Sequence, residues 1–183
     1  MNRDRRLRSP DHASGDASLG WRAGRGPLAI LPDLLFRDRQ AWLAIVVGWL
    51  LTITGSTLLG FVLAHLAPAA PGPDLGDVSA PVKLVLVALF SPIVETLLMA
   101  AILAVLLRFV AGWQAVIASA AIWGVLHSLA TPLWGAVIWW PFLIFSTLYV
   151  TWRPRGFWPA VVVVALVHIL QNLFPALLIV TGH

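Results

Sequence analysis

The chain has no cysteine among its 183 residues, so it carries no disulfide framework, no thiolate metal site and no thiol nucleophile. Charge is scarce too. Only 11% of the residues are charged; Lys83 is the single lysine and Glu95 the single glutamate. A surface bathed in water would carry about twice that density. What fills the chain instead is apolar. Hydrophobic residues make up 60% of it, gathered into runs that reach the roughly 20 residues needed to cross a bilayer core of about 30 Å. Lipid is therefore the main solvent. A pI near 11.1 would ordinarily suggest nucleic acid. The formal net charge is only +4, however, and the excess sits in the N-terminal tail and short loops. It reads as a topology signal, with no nucleic-acid partner implied.

Residues 1–26, rich in Arg, Asp, Gly and Ser without apolar periodicity, read as a disordered basic cytoplasmic tail. The first long apolar run starts near Ala41, too far along for a cleaved signal peptide or for Arg5-Arg6 to act as a twin-arginine signal. Leu28 to Phe36, broken by Pro32 and Asp33, is expected to lie along the membrane interface. Residues 27–183 then form one all-α, polytopic transmembrane domain. Its five predicted spans are Ala41–Leu66, Val82–Val110, Trp113–Leu129, Leu133–Trp152 and Pro159–Val180. The Pro- and Gly-rich stretch Ala67–Pro81 is expected to be an exposed loop.

With five spans, the tail and the second and fourth connections share one side. That side holds Arg3, Arg5, Arg6, Arg8, Arg22, Arg25, Arg37, Arg39, Arg108, Arg153 and Arg155; only Lys83 falls on the other. The positive-inside rule then predicts a multi-pass protein of the cell membrane, with its N-terminus cytoplasmic and its C-terminus outside. Trp42, Trp113, Trp134, Trp152 and Trp158 fall at predicted span ends, where an indole can anchor at the interface.

A few polar residues interrupt the spans. Glu95 lies mid-span, where an ionisable group costs roughly 2.5–3.5 kcal/mol, so it is expected to face the bundle. Pro92 should free a backbone carbonyl one turn back. His127 shares its helix with Ala120, Gly124 and Ser128, a small-residue stripe that lets a neighbouring helix approach closely. His168 and Asn172, one turn apart, share a face, with Gln171 beside it. Each has an ordinary reading when taken alone: a protonated carboxyl bonded to a neighbour, a packed histidine, a polar stripe holding two helices together. Together they supply a base, a proton carrier and hydrogen-bond donors within one small bundle. His65 reads as interfacial, and His12 and His183 lie in the tails.

In order and spacing these residues resemble the CPBP family of intramembrane proteases, which includes CaaX prenyl endopeptidases and bacteriocin-processing and immunity proteins. That family carries a proline-led glutamate pair with an arginine, then Phe-x-x-x-His, then His-x-x-x-Asn or Asp. This chain reads Pro92-Ile93-Val94-Glu95-Thr96-Leu97-Leu98-Met99-Ala100, then Trp123-x-x-x-His127, then His168-x-x-x-Asn172, over a core of residues 82–180. Thr96 stands in place of the second glutamate, Ala100 in place of the arginine, and Trp123 in place of phenylalanine. The resemblance implies an intramembrane endopeptidase acting on a membrane protein or lipidated peptide. In it Glu95 and His127 would activate water, while His168 and Asn172 would hold the oxyanion. It leaves a catalytically impaired adaptor or immunity role as the alternative. Glu95, His127 and His168 would also suit zinc, but no HExxH helix is present, and the sequence leaves metal and metal-free chemistry open.

Overall fold

A computed structural model of the chain describes residue 21, residues 24–69 and residues 76–181. Five apolar helices are each long enough to cross a membrane, and no strand occurs among the described residues. They are α1 (Ala41–Leu66), α2 (Ala80–Leu106), α3 (Gly112–Ala130), α4 (Gly135–Trp152) and α5 (Phe157–Thr181). The bounds of α1 coincide with those expected. α2 starts two residues earlier than expected and stops at Leu106, with Arg108 in the turn that follows.

α4 is the hub. It is buried without a break from Pro141 to Trp152, whereas α1 buries only Ala44, Gly48 and Thr52, a single stripe at helical spacing. The outer helices thus turn one face to the bundle and the rest to lipid, which is why they are apolar all round. The small-residue stripe of α3 is where α4 comes closest. A Cβ on Gly135 would collide with the Gly124 carbonyl and the Ser128 hydroxyl, so the two backbones meet there because Gly135 carries no side chain. Hydrogen bonds add to this packing. Ser146 donates to the Ser119 hydroxyl at 3.0 Å, Trp140 Nε1 to the Leu51 carbonyl at 2.9 Å, and Gln171 Nε2 to the Ser56 hydroxyl at 3.2 Å.

The segment ahead of α1 departs from expectation. It forms two 3-10 turns, Gly26–Ile30 and Asp33–Phe36, whose Leu28, Leu35 and Phe36 are buried against the bundle, together with Leu31 between them. It therefore closes one end of the helices instead of lying along lipid, and among its large apolar side chains Ile30 points away at 88% exposure. Most of the tail expected to be disordered lies outside the described residues. Trp21 does not, and it is buried: its Nε1 donates to the Thr151 hydroxyl at 3.0 Å, which in turn donates to the Leu35 carbonyl at 2.8 Å. Its ring meets Phe36 edge-on. At the same end Arg155 bonds Asp38 at 2.9 Å, and Arg25 pairs with Asp33 while lying over the Phe36 ring. Trp152 is a correction to the expected row of interfacial indoles: it is buried at 6% exposure, while Trp42 and Trp158 are each 66% exposed.

Candidate active site in the helix bundle

Pro92 shapes the first wall of the site. α2 begins as an α-helix, widens to a π turn over Leu86–Phe90 and returns to α geometry at Ser91. In the π register each carbonyl looks five residues ahead, and the Ser91 amide bonds the Leu86 carbonyl accordingly. The corresponding partner of Val87 would be Pro92, which has no N–H. The carbonyl expected to be freed one turn back is therefore that of Val87, displaced by the π turn. It does not stay unpaired, because the Asn172 side-chain amide on α5 donates to it at 3.2 Å.

Glu95 stands one turn beyond. The Ser91 hydroxyl donates to its Oε1, and its Oε2 lies 3.7 Å from His168 Nε2. That separation is longer than a hydrogen bond but close enough for strong mutual influence in a water-poor interior. The carboxylate side chain is 20% exposed and the imidazole 4%, so Glu95 faces the bundle and not open lipid. The other ring nitrogen of His168, Nδ1, lies 3.3 Å from the Thr96 hydroxyl, and Thr96 is fully buried.

Aromatic rings enclose the histidines. Phe145 lies 4.4 Å from the His168 ring and Phe142 5.4 Å from it, measured between centroids. His127 on α3 is 5.8 Å from that same Phe142 ring, so one phenylalanine of α4 touches both imidazoles. Trp123 stacks on Phe142 at 4.3 Å, which is how an indole is accommodated where the resemblance has a phenylalanine. His127 Nδ1 lies 2.9 Å from the Trp123 carbonyl. A carbonyl only accepts, so Nδ1 holds a proton, and in the neutral ring Nε2 carries the lone pair.

Of the four residues singled out by the sequence, Glu95 and His168 thus meet directly, and His127 adjoins the same phenylalanine. Asn172 shares the His168 face of α5, with one amide N–H committed to Val87. Gln171 is turned toward α1 and Ser56, and its Oε1 is buried without a partner. His65 bonds the Phe61 carbonyl on its own helix, away from the site. Sequence reasoning missed Ser91, Phe142 and Phe145, and it read Thr96 only as a missing glutamate. The four-residue spacing of Ser91 and Glu95 was a usable signal. Two phenylalanines in an apolar helix were none.

The zinc reading needs three ligands around one point. Among the described residues no group of three or more His, Asp or Glu side chains is so gathered. As placed, these side chains do not present three ligands to one ion.

The family model described as type II CAAX prenyl endopeptidase Rce1-like matches residues 77–174. That stretch is more than half of the chain and contains all four candidate residues. Neither the curated proteins nor the solved structures yield a match.

Proposed function

Since the chain belongs to the type II CAAX prenyl endopeptidase Rce1-like family, we propose that it is an intramembrane endopeptidase, cutting a peptide bond in a protein or lipidated peptide presented at the bilayer. The observation that carries this reading is the approach of the only glutamate to His168 at 3.7 Å inside the bundle. In the proposed reaction Glu95 takes a proton from water as the oxygen attacks the scissile carbonyl, and His127 Nε2, open as an acceptor, assists. If the Thr96 hydroxyl donates to His168 Nδ1, the proton of that ring sits on Nε2. From there it can be donated to the carbonyl oxygen as negative charge builds, with the second N–H of Asn172 as a further donor. Glu95 then returns its proton to the leaving amine. No metal enters any step. The cytoplasmic side of the membrane is the proposed home of the arginine-rich end of the bundle.

The test is turnover of a membrane-presented peptide, a prenylated C-terminal peptide first, by the chain reconstituted in liposomes. Glu95→Gln preserves shape and removes the base. It should abolish cleavage while insertion and unfolding stay unchanged, and robust cleavage by this variant would sink the mechanism.

A second reading, a non-catalytic adaptor or immunity protein, is favoured by one specific observation. Thr96 and Ala100, at 0% and 1% exposure, are closed over by packing where the resembling proteases carry a glutamate and an arginine. Biological activity that survives Glu95→Gln would select this reading.

A further inference from the structure

Asn172 does more than share a helix face with His168. Its side chain reaches 3.2 Å across to α2 and takes the Val87 carbonyl, whose partner in the π register would be Pro92. One turn earlier on α5, His168 meets Thr96 at 3.3 Å and Glu95 at 3.7 Å. The same helix thus grips α2 on both sides of Glu95, at Val87 upstream and at Thr96 downstream. A π turn inserts one residue into the helical repeat, which rotates everything beyond it by about 100° relative to a continuous α-helix. The direction in which Glu95 points therefore depends on that turn being kept.

We propose that Asn172 is a positioning residue for Glu95: by donating to the Val87 carbonyl it locks the π turn of α2 and so aims the carboxylate at His168. The catalytic consequence rests on the reading of Glu95 as the base, but the geometry is testable without any substrate. A half-buried carbonyl with no donor is unfavourable, and an α register would pair Val87 with the Ser91 amide, leaving to Ala88 the donor that Pro92 cannot supply. Without Asn172 the π turn loses the side-chain bond that favours it over the α register. Glu95 would swing away from His168, and the Ser91 hydroxyl would travel with it.

Because Glu95 is the only glutamate, cell-free synthesis with carboxyl-labelled glutamate gives one carboxylate signal. In the natural sequence His168→Ala should shift that signal, by NMR or infrared. In an Asn172→Leu background the same His168→Ala change should shift it by less than half as much. Equal shifts in the two backgrounds would overturn the proposal. A second readout is amide hydrogen exchange across residues 86–91, which Asn172→Leu should accelerate roughly tenfold by removing one hydrogen bond. Pro92→Ala restores an N–H at the critical position and should erase that acceleration. If Asn172→Leu fails to fold, Pro92→Ala in the same chain should recover it. An equal penalty with and without Pro92 would also overturn the proposal, since a merely structural asparagine would not depend on the proline. A chain with intact coupling but no cleavage would count against the endopeptidase reading alone.

Discussion

The Thr96 hydroxyl lies 3.3 Å from His168 Nδ1, so the residue found where the resembling proteases carry a glutamate touches the histidine of the candidate site. A hydroxyl can donate to or accept from imidazole, whereas a methyl can do neither. Thr96→Val keeps the shape and should lower turnover about tenfold, with the larger change in kcat, while Thr96→Ser should recover most of it. Nitrogen-15 shifts of the His168 ring, read alongside kinetics, check whether the tautomer moved. No change in either would mean that the contact is incidental.

The α3–α4 contact makes a stability prediction. Gly135→Ala places a methyl against the Gly124 carbonyl and the Ser128 hydroxyl, and the helices must separate to admit it. We expect a loss of about 1–3 kcal/mol in reversible unfolding from micelles. Gly60→Ala, where an added Cβ meets nothing within 4 Å, is the matched control and should cost nothing or gain up to about 1 kcal/mol.

Docking of Trp21 can be tested in the same way. Trp21→Ala removes a buried indole and its bond to Thr151, which should cost about 3–5 kcal/mol. Thr151→Val breaks the relay to Leu35 without emptying the space and should cost less.

The adjoining Asp33 adds a pH dependence. The hydrogen bond and charge of Arg25 hold its carboxyl below the ordinary 3.8. A depressed folded-state value contributes stability that is present above the ordinary value and is lost as pH falls through the depressed one. Acid should therefore loosen this segment, and Asp33→Asn should remove that part of the acid response.

Orientation gives a further expectation. Reporter fusions or accessibility of single introduced cysteines, in a chain that has none of its own, should place residue 1 on the cytoplasmic side and residue 183 opposite. Both termini on one side would refute five crossings.

Much of the fold was legible in the sequence because membrane helices announce themselves by length, and the limits of α1 follow from Gln40 and Ala67 closing a 26-residue apolar run. Pro92 announced an orphaned carbonyl. Which carbonyl it was depended on a π turn that is held by a residue 85 positions away, beyond the reach of local reasoning. Thr96 was visible only as an absence, since motif comparison records what is missing and not what the substitute touches. Trp21 carried no periodicity that could mark it as buried. Nor did Phe142 stand out, because in an all-apolar span every phenylalanine looks alike until its neighbours are known.

The enclosure of α4 bears on how the protein is made. Its best membrane window is less apolar than those of α2 and α5, although it is the most deeply enclosed of the five. A nascent chain that has just released Trp152 would hold α4 without its α5 neighbour, because Val163, Val164 and Val167, which belong to the same buried core, are not yet synthesised. Those valines belong to the helix that also carries His168 and Asn172. Closing the core and completing the polar cluster are thus one event in biogenesis, and the growing chain holds no assembled cluster until α5 docks.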